Sequence, residues 1–177
     1  MNITTAPERF ERIASNYVKS EVHKRSASMS YVHRRLGTRP DLRLLDVACG
    51  AGHFGFNVAG PSARLTFCDP SAAMLAAVAE NAAARQVEVD TVRSTAESLP
   101  FEDQSFDLVV SRLAPHHFVD PGQAVREMAR VLAPGGHCAI IDLEGQFDPA
   151  ADELNHLLEV LHDPTHMRSY TQTEWCD

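Results

Sequence analysis

Asp46-Val47-Ala48-Cys49-Gly50-Ala51-Gly52-His53-Phe54-Gly55 is the stretch that decides the fold. It ends the apolar run Leu42 to Ala48 and leads into His53 to Gly60, where apolar residues recur at helical spacing, so it reads as strand, glycine loop, helix. Glycines suit such a loop because a backbone without Cβ turns sharply and lets a ligand come close. The first N–H groups of the following helix lack intrahelical partners and face the same place. The stretch formally contains GxGxxG, which alone is a weak signal.

Working outward, Arg64 to Cys68 is a second strand closed by Asp69-Pro70, and Ser71 is the N-cap of an alanine-rich helix reaching about Arg85. Val87, Val89 and Val92 alternate with polar residues as a third strand, and Phe106 to Val110 is a buried fourth. Pro121 opens a helix to Leu132, Pro134-Gly135-Gly136 makes a tight turn, and His137 to Leu143 is strand five. A last helix covers about Ala150 to Leu161. Upstream, residues 8 to 36 read as two helices, with Phe10, Ile13, Ala14 and Tyr17 on one stripe and Val22, Met29, Val32 and Leu36 on the next, before Gly37 stops them. Strands alternating with helices predict an α/β fold: a doubly wound, mostly parallel sheet covered on both faces, with a ligand crevice at the carboxyl ends of its strands.

At 177 residues with 44% hydrophobic composition, the chain can bury a single core without disulfide or metal staples. We expect one domain, organised as a helical arm over 1–37, a core over 42–145 and a helix with tail over 146–177. A net charge of −8 disfavours nucleic acid and anionic membranes, both of which need basic surfaces, and favours a cationic or neutral small ligand. The arm is the exception, with nine Lys/Arg against four Asp/Glu over residues 1–45. Cys49, Cys68, Cys138 and Cys176 form no CxxC pair, and neither a bilayer-length apolar run nor a secretory signal is present. Reduced thiols in a cytoplasmic protein are the expectation.

Two carboxylates sharpen the ligand. A dinucleotide would set its pyrophosphate on the glycine loop and a ribose hydroxyl on Asp69, the reading of a nicotinamide-dependent oxidoreductase. Asp46 opposes it, because a carboxylate at the end of strand one repels phosphate. A cationic cofactor reverses that argument. S-adenosylmethionine carries an ammonium and a sulfonium, no phosphate, and a ribose diol that Asp69 can accept.

These residues resemble the class I S-adenosylmethionine-dependent methyltransferases, in particular the small-molecule type similar to the ubiquinone/menaquinone-biosynthesis C-methyltransferases. The resemblance rests on Leu45 to Gly52, on Cys68-Asp69-Pro70-Ser71 with Met74, on Thr95 to Phe101, and on Arg112 to Phe118 with Val131 to Gly136. It implies a Rossmann-like sheet and methyl transfer by in-line displacement. It places the loop of Ala48, Gly50 and Gly52 under the methionine part of the cofactor, with Asp46 holding that part. Asp69 and Pro70 would meet the ribose, and Met74 the adenine or its ribose, although Met74 reads equally as helix core. Thr95, Ala96 and Glu97 would lie at the adenine edge, and Arg112 and Leu113 would border the methionine moiety. The arm becomes an N-terminal helical lid with Tyr17 facing the site.

The chain departs from the family at Ala48, where a glycine is usual, at Thr95, where an aspartate is usual, and at its end. Family members continue into an antiparallel strand pair, so this chain should show the order 3-2-1-4-5 with strand five as an exposed edge, covered by its own C-terminal segment, by a homo-oligomer or partner chain, or by nothing stable. The chain is then either a fragment or a shortened member. That leaves an alternative function, a cofactor-binding but inactive or partner-dependent protein. For the chemistry, His117 is the first candidate for base or orienter and His116 the second, just after strand four, with His23 and Tyr17 behind them. His156, His162 and His166 read as surface or substrate-wall residues, and no metal is expected.

Overall fold

A computed structural model describes residues 5–19 and 26–175, with side chains outside 13–19. Ala14 and Tyr17 therefore lie on a described helix but their side chains lie outside the described residues, as do Val22, His23 and Cys176 entirely. Five strands form one sheet in the order β3-β2-β1-β4-β5, with every pair parallel: β1 (Arg43–Val47), β2 (Arg64–Cys68), β3 (Val89–Val92), β4 (Phe106–Arg112) and β5 (Leu132–Ile141). This is the expected topology, with β1 at the centre.

The helices are α1 (Ala6–Lys19), α2 (Ala27–Val32, continued by a wide turn over His33–Gly37), α3 (His53–Val58), α4 (Ala72–Arg85), α5 (Pro121–Val131) and α6 (Pro149–His162). Their starts follow from capping chemistry. The Ser71 hydroxyl accepts from Met74 N at 3.2 Å, and Asp120 Oδ1 from Gln123 N at 2.8 Å. Asp148 Oδ1 accepts from Ala151 N at 2.9 Å, and Pro121 and Pro149 open their helices.

Strand alternation makes two cores. Leu44, Leu108 and Val110 face one layer with Phe54, Val58 and Phe67, whereas Leu45, Val47 and Val109 face the other with Ala124, Met128 and Val131. Both faces of the central strands are thus covered, which is why β1 and β4 are continuous apolar runs.

Strand five differs from its expected form. It begins directly at the end of α5, with Leu132 opposite Phe106 and His137 opposite Leu108, so residues 133–136 bulge out of an existing strand. Gly135 takes φ +75°, and a Cβ on Gly136 would sit 2.8 Å from the Ala133 carbonyl oxygen. The same glycines that signal a turn therefore make a bulge. β5 is an edge with His137 and Cys138 exposed, and beyond its end Gly145 N donates to Tyr170 O of the C-terminal segment at 3.1 Å. α6 buries no side chain, and Leu154, Leu157, Leu158 and Leu161 are 53–82% exposed along one of its faces. Among the described residues no helix is long and apolar enough to cross a membrane.

Candidate active site

A cleft opens where the carboxyl ends of β1, β2 and β4 meet, beside the point at which the chain crosses from one side of β1 to the other. Two buried carboxylates face it. Asp46, the fourth residue of β1, accepts from Gly55 N through Oδ2 at 2.8 Å. Gly55 permits this approach, since a Cβ there would lie 3.1 Å from that oxygen and 2.6 Å from the Phe67 ring. Asp69, just past β2, accepts from Gly50 N through Oδ2 and from Ser71 N through Oδ1, each at 2.9 Å.

Burial pushes Asp46 up to about 7, helped by the nearby charge of Asp69 and opposed by the Gly55 N–H and by Arg112. Burial likewise raises Asp69 to about 6 against the pull of the Ser71 and Gly50 N–H groups. The backbone around them is wound tightly. Ala48 at φ +52° and Leu113 at φ +51°, past the ends of β1 and β4, are both left-handed residues with a Cβ, a costly conformation concentrated at one crevice. Gly50 at φ +53° has only the Met74 sulfur, at 4.0 Å, near the place a Cβ would take, so the loop floor stays open.

Most residues singled out from the sequence line this cleft: Asp46, Ala48 and Gly50; Asp69, Pro70 and Met74; Thr95, Ala96 and Glu97; and Arg112, Leu113 and His117. Gly52 and His116 do not. Gly52 caps α3 beneath the loop at φ +78°, against Phe56 and Phe67. Met74 is both core and cleft, being 2% exposed. From α1, Ala6, Pro7 and Phe10 reach the cleft, and Glu11 Oε2 accepts from the Ser71 hydroxyl at 2.7 Å and Ala73 N at 3.2 Å beside Asp69.

The opposite wall is built from the turn Pro115–His117 that follows β4. His116 is buried, and Asp142 past β5 grips it twice, accepting from its Nδ1 at 2.5 Å and from its backbone N at 2.6 Å. His117 Nδ1 donates to the Thr165 carbonyl at 3.0 Å, and the Phe10 ring meets the imidazole edge-on at 5.1 Å. Burial and the neighbouring His116 lower His117 to about 4, partly offset by Thr165, Asp163 and Asp142. Neutral His117 with its proton on Nδ1 keeps a lone pair on Nε2, which no described residue hydrogen-bonds. Of the two readings given for His166, surface or substrate wall, it is not at the surface: it is 5% exposed and stacked on His116 at 5.2 Å, behind the histidine wall. His156 and His162 are exposed.

Sequence reasoning missed Asp142, Asp163 and Thr165. Asp142 carried a usable signal, a carboxylate at a strand's carboxyl end like Asp46 and Asp69. Thr165 acts through its carbonyl, which no side-chain pattern encodes.

The comparisons with known proteins agree with this geometry. The family of the methyltransferase domain matches residues 45–140. This chain belongs to the class I S-adenosylmethionine-dependent methyltransferases. Its methyltransferase fold is similar to the crystal structure of YcgJ from Bacillus subtilis, with a TM-score of 0.79 at 36% identity over 84% of this chain and 64% of that one. In sequence it is 34% identical to that protein, an uncharacterized methyltransferase, across 94% of this chain and 66% of the relative. It is also 38% identical to a ubiquinone/menaquinone biosynthesis C-methyltransferase, UbiE, of Bradyrhizobium diazoefficiens, across 68% of this chain and 49% of that relative. The methyltransferase chain thus spans about half to two thirds of the length of these relatives.

Proposed function

We propose that this chain binds S-adenosylmethionine along the carboxyl ends of β1 and β2 and transfers its methyl group to a small molecule held against the histidine wall. The observation that carries the reading is the pair Asp46 and Asp69, two buried carboxylates at neighbouring strand ends that burial holds near 7 and 6. Carboxylates so placed are costly when ionised and suit a ligand that brings positive charge or hydroxyl donors. A phosphate-bearing cofactor would meet Asp46 with the wrong sign.

The residues fit the group well. The Asp46 oxygen not used by Gly55 would take the ammonium, Asp69 the ribose diol, and Arg112 the carboxylate of the methionine moiety. Ala96 and Glu97 would border the adenine, with Met74 beneath it. When bound, the cofactor supplies a methyl group already activated on sulfur, so the protein's share is alignment, water exclusion and management of one proton. For that proton the neutral Nε2 of His117 is the acceptor, with Nδ1–H fixed on Thr165 O. Acceptors whose methylated atom sheds an acidic hydrogen, such as phenols, enols and activated carbon acids, match this arrangement.

Calorimetric titration of the 177-residue chain with S-adenosylmethionine and S-adenosylhomocysteine tests the first half. Micromolar binding, about −8 kcal/mol, is expected. A folded chain that binds neither removes the reading. For the second half, release of S-adenosylhomocysteine is followed over a panel of phenolic and enolic acceptors. Replacing His117→Asn should slow the best of them by about 10²- to 10⁴-fold.

A further inference from the structure

The segment after α6 is tied to the histidine wall more closely than a tail needs to be. Asp163 Oδ1 accepts from Thr165 N at 2.9 Å and from the Thr165 hydroxyl at 2.6 Å, closing a tight turn that aims the Thr165 carbonyl at His117. That carbonyl receives His117 Nδ1–H at 3.0 Å, with the Thr165 hydroxyl oxygen 3.3 Å from the same nitrogen. Two further bonds lock the segment to the neighbouring residue: Met167 N and Arg168 N both donate to the His116 carbonyl, at 2.8 and 3.3 Å. From the other side, Arg9 of α1 places its Nε 3.2 Å from Asp163 Oδ1, and its Nη2 donates to the His162 carbonyl at 3.3 Å. Arg9 lies on the helix whose Glu11 is anchored beside Asp69 and whose Phe10 packs on the His117 ring.

The geometry points to Asp163 as a positioning residue for His117: acting through the Thr165 carbonyl, and held by Arg9 of the helix that spans the cleft, it selects the His117 tautomer whose lone pair is on Nε2. This rests on the proposal that His117 accepts the substrate proton. The physical need is plain. A free neutral imidazole favours the proton on Nε2, which would present a donor where an acceptor is wanted, so the opposite tautomer requires a fixed acceptor at Nδ1. A backbone carbonyl supplies one, but only while the loop carrying it holds still. A carboxylate that binds the backbone N–H and the side chain of one residue, and is itself paired with Arg9, holds that loop with charge-assisted bonds.

The test is ring-nitrogen NMR on the whole chain labelled with [¹⁵N]histidine, at pH 7, with His117 assigned by loss of its signals in His117→Asn. Wild type is expected in the Nδ1–H tautomer. In Asp163→Ala the Nδ1–H to Nε2–H ratio should fall about fivefold or more, the equivalent of one lost hydrogen bond of about 1 kcal/mol. Asp163→Asn, which keeps an acceptor for Thr165 but not the charge, should fall less, as should Arg9→Gln, which removes only the tie to α1. His116, gripped by Asp142, reports whether the wall is still folded and should not change. A His117 that keeps Nδ1–H in Asp163→Ala overturns the proposal, as does a wild-type His117 protonated on Nε2. Turnover separates the two ideas. If His117→Asn methylates its acceptor at the wild-type rate, the proton-acceptor reading falls, whatever the tautomer does.

Discussion

The two walls of the cleft, one of carboxylates and one of histidines, are made in opposite ways. Asp46 and Asp69 are satisfied by backbone N–H groups of Gly55, Gly50 and Ser71, all within twenty residues in sequence. His116 and His117 are held by Asp142 and Thr165, 26 and 48 residues away. Their titration also runs in opposite directions. Burial holds the carboxylates near 7 and 6 and one imidazole near 4, so on both walls it favours the neutral form. The lesson is that a site awaiting a charged ligand can be built locally, whereas a proton acceptor with a chosen tautomer needs partners from the far end of the chain.

The sharpest way to break the comparison is Asp69→Ala. Losing hydrogen bonds to a charged group should weaken cofactor binding by about 1.5–3 kcal/mol, readable by calorimetry. Unchanged affinity would take Asp69 out of the site. Next comes pH. The cofactor's cation selects ionised Asp46, so affinity depends on the ionisation of that carboxylate near pH 7. Affinity should drop as much as tenfold per unit for each proton displaced as pH falls through about 7 and 6. Calorimetry at pH 6 in buffers of different ionisation heat should register proton release.

The unliganded protein should show the converse. Carboxylates whose folded pKa is raised contribute stability that is full below the ordinary carboxylate range and lost as pH rises through about 6 and 7. His117, depressed to about 4, contributes stability that is present above the ordinary imidazole value of 6.5 and lost as pH falls from there toward 4. At pH 8, Asp46→Asn should therefore stabilise the free protein by about 0.5–2 kcal/mol while costing cofactor affinity, a trade of stability against function. Denaturant unfolding measures the first and titration the second.

Smaller still is Ala48→Gly. Relief of a left-handed φ of +52° outweighs the added unfolded-state freedom, for a net gain of a few tenths to about 1 kcal/mol. A loss would show that the Ala48 methyl is packed to advantage. Smallest is Leu161→Ser on α6, where a side chain 82% exposed should change unfolding free energy by less than about 0.5 kcal/mol. A larger loss would mean that α6 supports the histidine wall through packing.

Much of this was legible in the residues. Ser71, Pro121 and the glycine loop mark element starts through local backbone chemistry, and α4 begins and ends where capping and periodicity put it. The bulge in β5 was not, because Pro134-Gly135-Gly136 signals a change of direction without saying whether the residues before it are already paired. Asp46 and Asp69 could be chosen beforehand because a parallel α/β sheet sends the carboxyl ends of its strands to one crevice, whereas Met74 and Arg112 were chosen through the family resemblance. The stacking of His166 on His116 was not legible, since it depends on where the segment after α6 folds back.

The sequence by itself determined the alternation of strands and helices and the acidic end of β1, through patterns within a few residues of each other, and that alternation implied the kind of sheet they form. Only the tertiary structure decided which nitrogen of His117 carries the proton and which carboxylate holds the loop beside it. A tautomer is set by a single hydrogen bond, and here its acceptor is a backbone carbonyl brought across the molecule from residue 165.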